Sequence, residues 1–236
     1  MKIAILQPGY IPWLGFWSQM AQSDVFVLLD DVQYDKHGWR NRNKIKTAQG
    51  EQWLTVPILT KGRDKPLMRD VLIDNHTDWR KKHVESLKQS YGKAPYFETY
   101  FPPVARMYAR EWTLLYCFTC SLVERLRVML GIGGNVLLAS EFRSKSTDRV
   151  QRLIDICKEL GADEFLEGSA GRGYLEGEGE ELFARNGIRL VYQDYQHPVY
   201  PQLYGEFVSR LSIVDLLFNV GPDSLDILTG RKVTRC

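Results

Sequence analysis

The strongest constraint on the fold of this chain is a strand, a turn, a helix and a second strand near its start. Residues 3–6 form a continuous apolar run that stops at a Pro-Gly turn signal, as expected of a buried parallel strand. Residues 13–21 are typical of a helix, and residues 25–29 form a second apolar run rich in β-branched and aromatic side chains. Because such crossovers are right-handed, we predict two parallel strands whose carboxyl ends open on the same edge of a sheet.

The remaining sequence continues the alternation of short strands and helices. We therefore predict an α/β fold in one domain over residues 1–236, with an open, mostly parallel sheet flanked by helices. A helical section is expected at about residues 77–131. The predicted strands cover residues 53–58, 71–73, 136–139, 165–166 and 188–192, and the predicted helices cover residues 77–91, 103–130 (one helix or a broken pair), 147–160 and 212–219.

Composition excludes several classes of protein. The 236 residues carry a net charge of only +2, which gives no support for nucleic acid as a partner. The longest charge-free apolar-rich run, residues 112–123, is too short to span a bilayer. Four cysteines are too few for a disulfide framework, and no signal peptide is visible at Met1, so we expect a cytoplasmic location.

The loop that follows the first strand is the first candidate site. Residues 7–15 contain two prolines and two glycines, and the helix after them presents unpaired N–H groups that suit a phosphate or a carboxylate. Gln7 and Tyr10 are positioned to orient a substrate. The loop matches neither a dinucleotide fingerprint nor a Walker loop, and it lacks the histidine of a HIGH-type nucleotidyl-transfer site. A rigid strand-to-helix turn is the alternative.

The segment after the second strand is the second candidate site. Asp30 and Asp31 are candidates for a general base, or for Mg²⁺ ligands only if the reaction uses ATP; otherwise no metal is expected. Residues 36–47 contain five cations and no carboxylate, which favours an anion such as a diphosphate. A solvated charged loop is the alternative. The predicted substrate-binding residues here are Asp31, Gln33, Tyr34, Trp39, Asn41, Arg42, Asn43 and Lys44.

Three further segments carry candidate residues. Trp79, Lys82 and His83 share a face of a predicted helix, where His83 is a second candidate base and the other two bind substrate. Ser169 and Arg172 follow a predicted strand in a Gly-rich loop that can hold an anion; a mobile surface loop is the alternative. The last segment offers His197 as a general base, since the ordinary pKa of histidine lies close to neutral, with Tyr200 and Gln202 as substrate ligands. A structural hydrogen-bonding role for His197 is the alternative.

In combination, these motifs resemble the WbqC-like protein family over nearly the whole chain. The resemblance rests on residues 7–15, 30–44, 53–57, 79–91, 167–174, 197–202 and 212–219. Members of that family tend to occur among genes for bacterial surface polysaccharides, and a role in transferring glycine or another acyl group to amino sugars has been suggested for them. The resemblance therefore implies a transferase acting on a nucleotide-linked amino sugar.

Three functional hypotheses follow. The first is N-acylation, including aminoacylation, of a nucleotide-linked amino-deoxy sugar, with Arg42 and Lys44 on the diphosphate and His197, Asp30 or His83 as the base. Its donor is either an acyl-CoA or an amino acid activated with ATP and Mg²⁺. The second is a HIGH-like nucleotide-binding enzyme that activates a small acid with ATP. The third is a module that binds a nucleotide sugar without chemistry of its own.

Overall fold

A computed structural model describes residues 1–36, 38–59 and 65–231. It comprises two compact units. The first, termed the sheet unit, contains Met1–Gln7, Ser18–Asp31 and Gly133–Gln196. The second, termed the hairpin unit, contains Pro8–Trp17, Val32–Ile132 and His197–Cys236. His37, which the family resemblance leaves aside, lies outside the described residues.

The helices and strands are numbered in chain order. The strands are β1 (Lys2–Leu6), β2 (Val25–Leu28), β3 (Arg42–Thr47), β4 (Gly50–Thr55), β5 (Asn135–Leu138), β6 (Glu164–Glu167) and β7 (Arg189–Tyr192). The α-helices are α1 (Leu14–Ala21), α2 (Trp79–Tyr91), α3 (Phe97–Tyr108), α4 (Leu115–Leu130), α5 (Arg149–Leu160), α6 (Arg172–Leu175), α7 (Glu178–Arg185), α8 (Ile213–Val220) and α9 (Ser224–Thr229). Short 3₁₀ turns occur at Met68–Asp70, Ala139–Glu141, Ser169–Gly171 and Gly221–Asp223. None of the helices in the described ranges combines the length and apolar character needed to cross a bilayer.

The sheet unit is built on a five-stranded parallel sheet in the order β5-β2-β1-β6-β7. Strands β1 and β2 pair in parallel from Ile3 opposite Val25 to Leu6 opposite Leu28, and the other three pairs are also parallel. The predicted α/β class and the parallel pairing of the first two strands are therefore confirmed. The strand order reverses direction between β1 and β6, which makes that position the topological switch point of the sheet.

The core of the sheet unit lies between the sheet and α5. Leu153, Ile154 and Cys157 recur on one helix face and are buried with Phe165 and Phe183. The side chain of Asp148 accepts a hydrogen bond from the Gln151 N–H at 2.7 Å, and α5 ends at Gly161 in the left-handed conformation. The helix predicted from residue 147 thus begins two residues later, because Asp148 takes the capping position.

Residues 42–47 of the hairpin unit form β3, a strand that was not predicted from the sequence. Strand β3 pairs with β4 in an antiparallel hairpin from Arg42 opposite Thr55 to Thr47 opposite Gly50. Partly exposed and buried positions alternate over residues 42–45, so that Asn43 and Ile45 are buried, and Lys46 is buried as well. The alternation was hidden because the cations on one face gave the segment the composition of a loop.

The helical section of the hairpin unit contains α2, α3 and α4, and the segment predicted as one helix or a broken pair is the pair α3 and α4. Helix α3 begins at Phe97, six residues before the predicted start, and accommodates Pro102 and Pro103 in its interior. Helix α4 ends at Gly131 in the left-handed conformation. Helix α2 begins at Trp79, two residues after the predicted start, and Asp78 flanks that start. Every residue of α8 is buried, and this helix packs against α3 and β3.

Candidate functional site

The carboxyl edge of the sheet unit carries three polar groups predicted from the sequence. Gln7 follows β1, the Asp30-Asp31 pair follows β2, and Ser169 lies in the turn after β6. Ligands of open α/β sheets bind outside the carboxyl ends of the strands at the switch point, which here lies between β1 and β6. Gln7 and Ser169 therefore flank the position where this architecture receives a ligand.

The two adjacent aspartates are already bound by protein groups. One carboxylate oxygen of Asp30, a residue only 1% exposed, accepts a hydrogen bond from the Ser140 N–H at 2.9 Å. Asp31 forms ion pairs with Arg152 at 2.8 Å and Lys145 at 3.4 Å. A Mg²⁺ ion at Asp31 would have to displace or lie beside two cations, so its surroundings do not fit a metal ion. The described ranges also hold no group of three or more His, Cys, Asp or Glu side chains that could share a metal.

Glu167 is a buried carboxylate at the switch point that the sequence prediction did not include. Its two oxygens accept hydrogen bonds from the Gly168 N–H at 3.0 Å and the Tyr174 hydroxyl at 2.8 Å. Burial raises the pKa of Glu167, and the two hydrogen bonds act in the opposite direction. The available signal was its position, directly after an apolar strand and before Gly168. A partly desolvated carboxyl group of this kind is suited to proton transfer.

The loop after β6 presents Ser169 and Arg172 to the surface. Both residues are exposed. The Arg172 guanidinium lies 4.2 Å from the centre of the Tyr192 ring, which orients it without consuming its hydrogen-bond donors. The predicted anion clamp is thus held by an aromatic side chain.

In the hairpin unit, the loop before α1 contains a strained residue. Ile11 is fully buried and has a φ of 36°, in the left-handed region that β-branched residues rarely occupy. The buried Asn43 amide donates to the carbonyl oxygen of Ile11 at 2.7 Å and to that of Tyr10 at 3.3 Å. Asn41, also predicted to bind substrate, donates instead to the carbonyl of Val56 at 2.8 Å. Both asparagines are therefore used in positioning the backbone.

Two exposed tryptophans and two cations form what we term the tryptophan platform, defined by Trp39, Trp53, Arg42 and Lys44. The tryptophans are 43% and 44% exposed, and their ring centres lie 5.0 Å apart. The guanidinium of Arg42 and the ammonium of Lys44 lie 5.0 and 5.2 Å from the Trp53 ring centre. Lys44 also pairs with Glu51 at 2.6 Å. An aromatic surface beside cations can bind a ring that carries negative charge.

A buried polar network anchors the loop before α8. Asp215, which is fully buried, accepts hydrogen bonds from Tyr91 at 2.9 Å, Tyr200 at 2.8 Å and Gln202 at 2.7 Å. Burial raises the pKa of Asp215, against the effect of these three donors and the Lys46 charge. The Lys46 ammonium donates to the Gln202 side chain at 3.2 Å. The predicted ligands Tyr200 and Gln202 therefore point into this network.

Both ring nitrogens of His197 form hydrogen bonds with backbone groups of the same loop. Its Nδ1 lies 3.0 Å from the carbonyl oxygen of Pro198, and its Nε2 accepts the Arg210 N–H at 2.9 Å. This pattern assigns the proton to Nδ1 of a neutral ring. Burial lowers the pKa of His197. The lone pair that a general base needs is therefore engaged with the backbone in this arrangement.

Tyr10, Trp79 and His83 come together in a buried aromatic cluster. The Tyr10 hydroxyl is 2.8 Å from Nδ1 of His83 and 2.5 Å from the hydroxyl of Tyr108. The centres of the Trp79 and His83 rings lie 5.4 Å apart. Burial lowers the pKa of His83 to about 4, opposed by its hydrogen bond to the Thr55 backbone. His83 is therefore a neutral, internally bonded side chain near pH 7.

The remaining predicted residues are dispersed. Lys82 is exposed on α2, apart from the buried Trp79 and His83. Gln33 is exposed and forms a backbone bridge with Leu67. Tyr34 is 5% exposed, and within the described residues its hydroxyl has no hydrogen-bond partner. Of the residues predicted in the hairpin unit, Trp39, Arg42 and Lys44 thus lie together in the tryptophan platform.

Comparison with known proteins identifies relatives but no activity. Residues 7–227 match the model of a family described as the WbqC-like protein family. A protein of Mycobacterium tuberculosis (strain ATCC 25618 / H37Rv), named "Uncharacterized protein Rv1507c", is 39% identical over 230 residues, which cover 96% of this chain and 97% of that protein. No solved structure matches the chain.

Proposed function

Because the chain belongs to the WbqC-like protein family, we propose that it is a cytoplasmic transferase that N-acylates a nucleotide-linked amino-deoxy sugar, with aminoacylation, such as glycylation, as one form of the reaction. Its place would be the biosynthesis of a bacterial surface polysaccharide such as an O-antigen. The tryptophan platform is the observation that carries this proposal.

The platform suits the two parts of a nucleotide-linked sugar. The exposed parts of Trp39 and Trp53 offer apolar surface that a base or a sugar ring can contact. Arg42 and Lys44 supply charge for the diphosphate, and the Arg42 guanidinium can bind two phosphate oxygens at once. Lys44 also pairs with Glu51 at 2.6 Å, so part of its charge is used within the hairpin.

The proposed reaction forms an amide bond. The neutral amine of the sugar attacks the carbonyl carbon of the donor, a carbon–nitrogen bond forms, and the amine loses one proton. With an acyl-CoA donor, the carbon–sulfur bond breaks and the thiolate leaves. With a free amino acid, ATP first gives an acyl-adenylate and pyrophosphate, and the attack then releases AMP. Both routes require a group that accepts the proton of the amine.

His197 is the proposed proton acceptor in the hairpin unit. Its Nε2 accepts the Arg210 N–H, so it can receive a proton only after that hydrogen bond opens. Asp30 and His83 are the other sequence-based candidates, and each is engaged by a protein donor. Replacement of His197 by Gln tests the assignment, because loss of the base lowers kcat and removes its pKa from the pH profile. Unchanged turnover with an unchanged profile would exclude His197 as the base.

Product mass tests the transfer itself. The pure protein is incubated with UDP- and dTDP-linked amino-deoxy sugars, together with either acetyl-CoA or glycine, ATP and Mg²⁺. The expected result is a sugar nucleotide whose mass has increased by the acyl group. Tight binding of the sugar nucleotide with no mass increase for any donor would instead identify a non-catalytic binding module.

The role of the platform is tested by binding. Arg42→Gln is expected to weaken binding of UDP or dTDP by about tenfold, as one charge-assisted contact contributes on the order of 1–3 kcal/mol. Arg69→Gln, an exposed arginine of the same unit outside the hairpin, serves as the matched control. Equal affinity of the two variants for UDP or dTDP would show that the tryptophan platform does not bind the diphosphate.

A second candidate function is favoured by the strand order. In order of appearance the sheet runs 3-2-1-4-5, an arrangement that binds nucleotides at the switch point, where Gln7 and Ser169 lie here. This supports a HIGH-like enzyme that activates a small acid with ATP. Release of AMP or pyrophosphate with a free acid and no sugar acceptor would favour this function over N-acylation.

A further inference from the structure

A groove in the hairpin unit lies away from the residues of the proposed reaction. It runs between the end of α3 and the length of α4 and has a volume of about 720 Å³. We term it the arginine groove, defined by Arg106, Arg110, Arg125, Met107 and Val128. None of these residues belongs to the tryptophan platform or to the buried networks described above.

The charge of the arginine groove is not balanced within the described part of the chain. No described carboxylate forms an ion pair with Arg106, Arg110 or Arg125. Glu124, which also lines the groove, is already held by Arg127 through two hydrogen bonds of 2.9 and 2.7 Å. Because the chain has a net charge of only +2, these arginines form a local concentration of positive charge.

One face of α4 is left uncovered in the groove. Positions 121, 124, 125 and 128 follow the spacing of a single helix face, and all four line the groove. Val128 on this face is 59% exposed, whereas the opposite face buries Leu122 and Leu126 completely. Met107 of α3 adds a flexible apolar side chain of the type found at adaptable binding surfaces. The arginine groove thus offers apolar contact as well as positive charge.

The side chain of Arg110 is pre-oriented by stacking on an aromatic ring. Its guanidinium carbon lies 3.6 Å from the centre of the Trp112 ring. This stacking uses the face of the guanidinium and leaves the N–H groups at its rim to bind a carboxylate. A pre-oriented arginine loses less side-chain entropy when it binds, which favours association.

From these features, we propose that the arginine groove is a docking site for an acidic amphipathic helix of a partner protein, whose carboxylates pair with the three arginines and whose apolar side chains contact Met107 and Val128. The uncovered positions of α4 span roughly 10 Å, about two turns of a helix laid alongside. Met107 and Val128 offer a small apolar contact beside three cations, which suits one face of an acidic amphipathic helix better than insertion into a bilayer.

Fluorescence anisotropy with a synthetic peptide tests this proposal. The probe is a labelled helical peptide with glutamates on one face and leucines on the other, and its control replaces each glutamate with lysine. We expect the glutamate peptide to bind the full chain, and binding to weaken at least about tenfold in the Arg106→Glu/Arg125→Glu variant. The matched control is Arg69→Glu/Lys93→Glu, which makes the same charge change at two exposed positions of the same unit outside the groove.

Several outcomes would overturn the proposal. Equal binding of the lysine peptide, or equal loss of binding in the matched control, would mean that the groove does not select an acidic helix. Sedimentation with phosphatidylglycerol vesicles in the absence of peptide binding would identify a membrane as the occupant. Self-association that only the groove variant abolishes would identify a second copy of the chain. Circular dichroism of both variants verifies that they are folded.

Discussion

The side-chain amide of Asn43 donates a hydrogen bond of 2.7 Å to the carbonyl oxygen of Ile11, the residue whose φ of 36° strains the loop before α1. Strand β3 thus holds the strained backbone in place. We expect Asn43→Ala to lower the free energy of unfolding by about 2 kcal/mol, because two carbonyl groups lose their buried donor. Urea denaturation measures the change, with the exposed Gln52→Ala on β4 as the control. A loss no larger than that of the control would contradict this role.

The lowered pKa of His83 is expected to make the free energy of unfolding depend on pH. Its folded pKa of about 4 lies below the ordinary value of 6.5, so the unfolded chain takes up the proton more readily. The contribution of His83 to stability is therefore complete above about pH 6.5 and is lost as the pH falls through about 4, in total roughly 3 kcal/mol.

The measurement compares unfolding free energies between pH 7 and pH 4.5 for the wild type and His83→Gln. We expect the variant to lose much of the dependence, whereas His76→Gln, at an exposed histidine of the same unit, keeps it. Parallel curves for the wild type and His83→Gln would show that His83 titrates normally in the folded protein.

Substitution of Asp215 by Asn is expected to lower the free energy of unfolding strongly. Asp215→Asn replaces an acceptor oxygen with an NH₂ group that faces hydroxyl or amide donors of Tyr91, Tyr200 and Gln202. We expect a loss of about 3 kcal/mol in unfolding free energy, since a buried donor is left without an acceptor. The exposed Glu98→Gln makes the same chemical change and should lie within about 0.5 kcal/mol of the wild type. Similar stabilities for the two variants would disprove the anchoring role of the network.

Gly171 and Gly173 provide a matched pair in the sheet unit. A Cβ at Gly171 would lie 2.2 Å from Cγ of Glu167, whereas one at Gly173 would meet nothing within 4 Å. We expect Gly171→Ala to displace the Glu167 side chain from Tyr174 at a cost of about 1–3 kcal/mol. Gly173→Ala should be neutral or stabilise by up to about 1 kcal/mol. Thermal unfolding of both variants checks the difference, and equal midpoints would mean that Glu167 moves without cost.

The sequence was sufficient to predict the parallel sheet and most of its strands, because β1, β2 and β6 are short apolar runs bounded by turn signals. It failed at β3, where the cations Arg42 and Lys44 share one face and obscured the alternation with Asn43 and Ile45. The difference depends on tertiary pairing with β4, which the local pattern does not contain.

The candidate site was predicted in part for a similar reason. Arg42, Lys44 and Trp39 were identified from residue type; in the tryptophan platform Trp39 is exposed, and Arg42 and Lys44 are half-buried. Trp53 was assigned to a strand without a binding role, because its proximity to Trp39 arises only when the hairpin forms. His83 and Tyr10 have the chemistry of site residues, yet their hydrogen bonds to each other depend on burial that residue type alone does not determine.

The strand order also bears on how the nascent chain folds. Strands β2 and β5 are neighbours in the sheet, although Leu28 and Asn135 are separated by the segment that supplies most of the hairpin unit. Strand β1 acquires its second neighbour only when β6, which begins at Glu164, has been synthesised. The central strand of the sheet therefore leaves the ribosome long before its partner, and its free edge must be protected from aggregation during that interval.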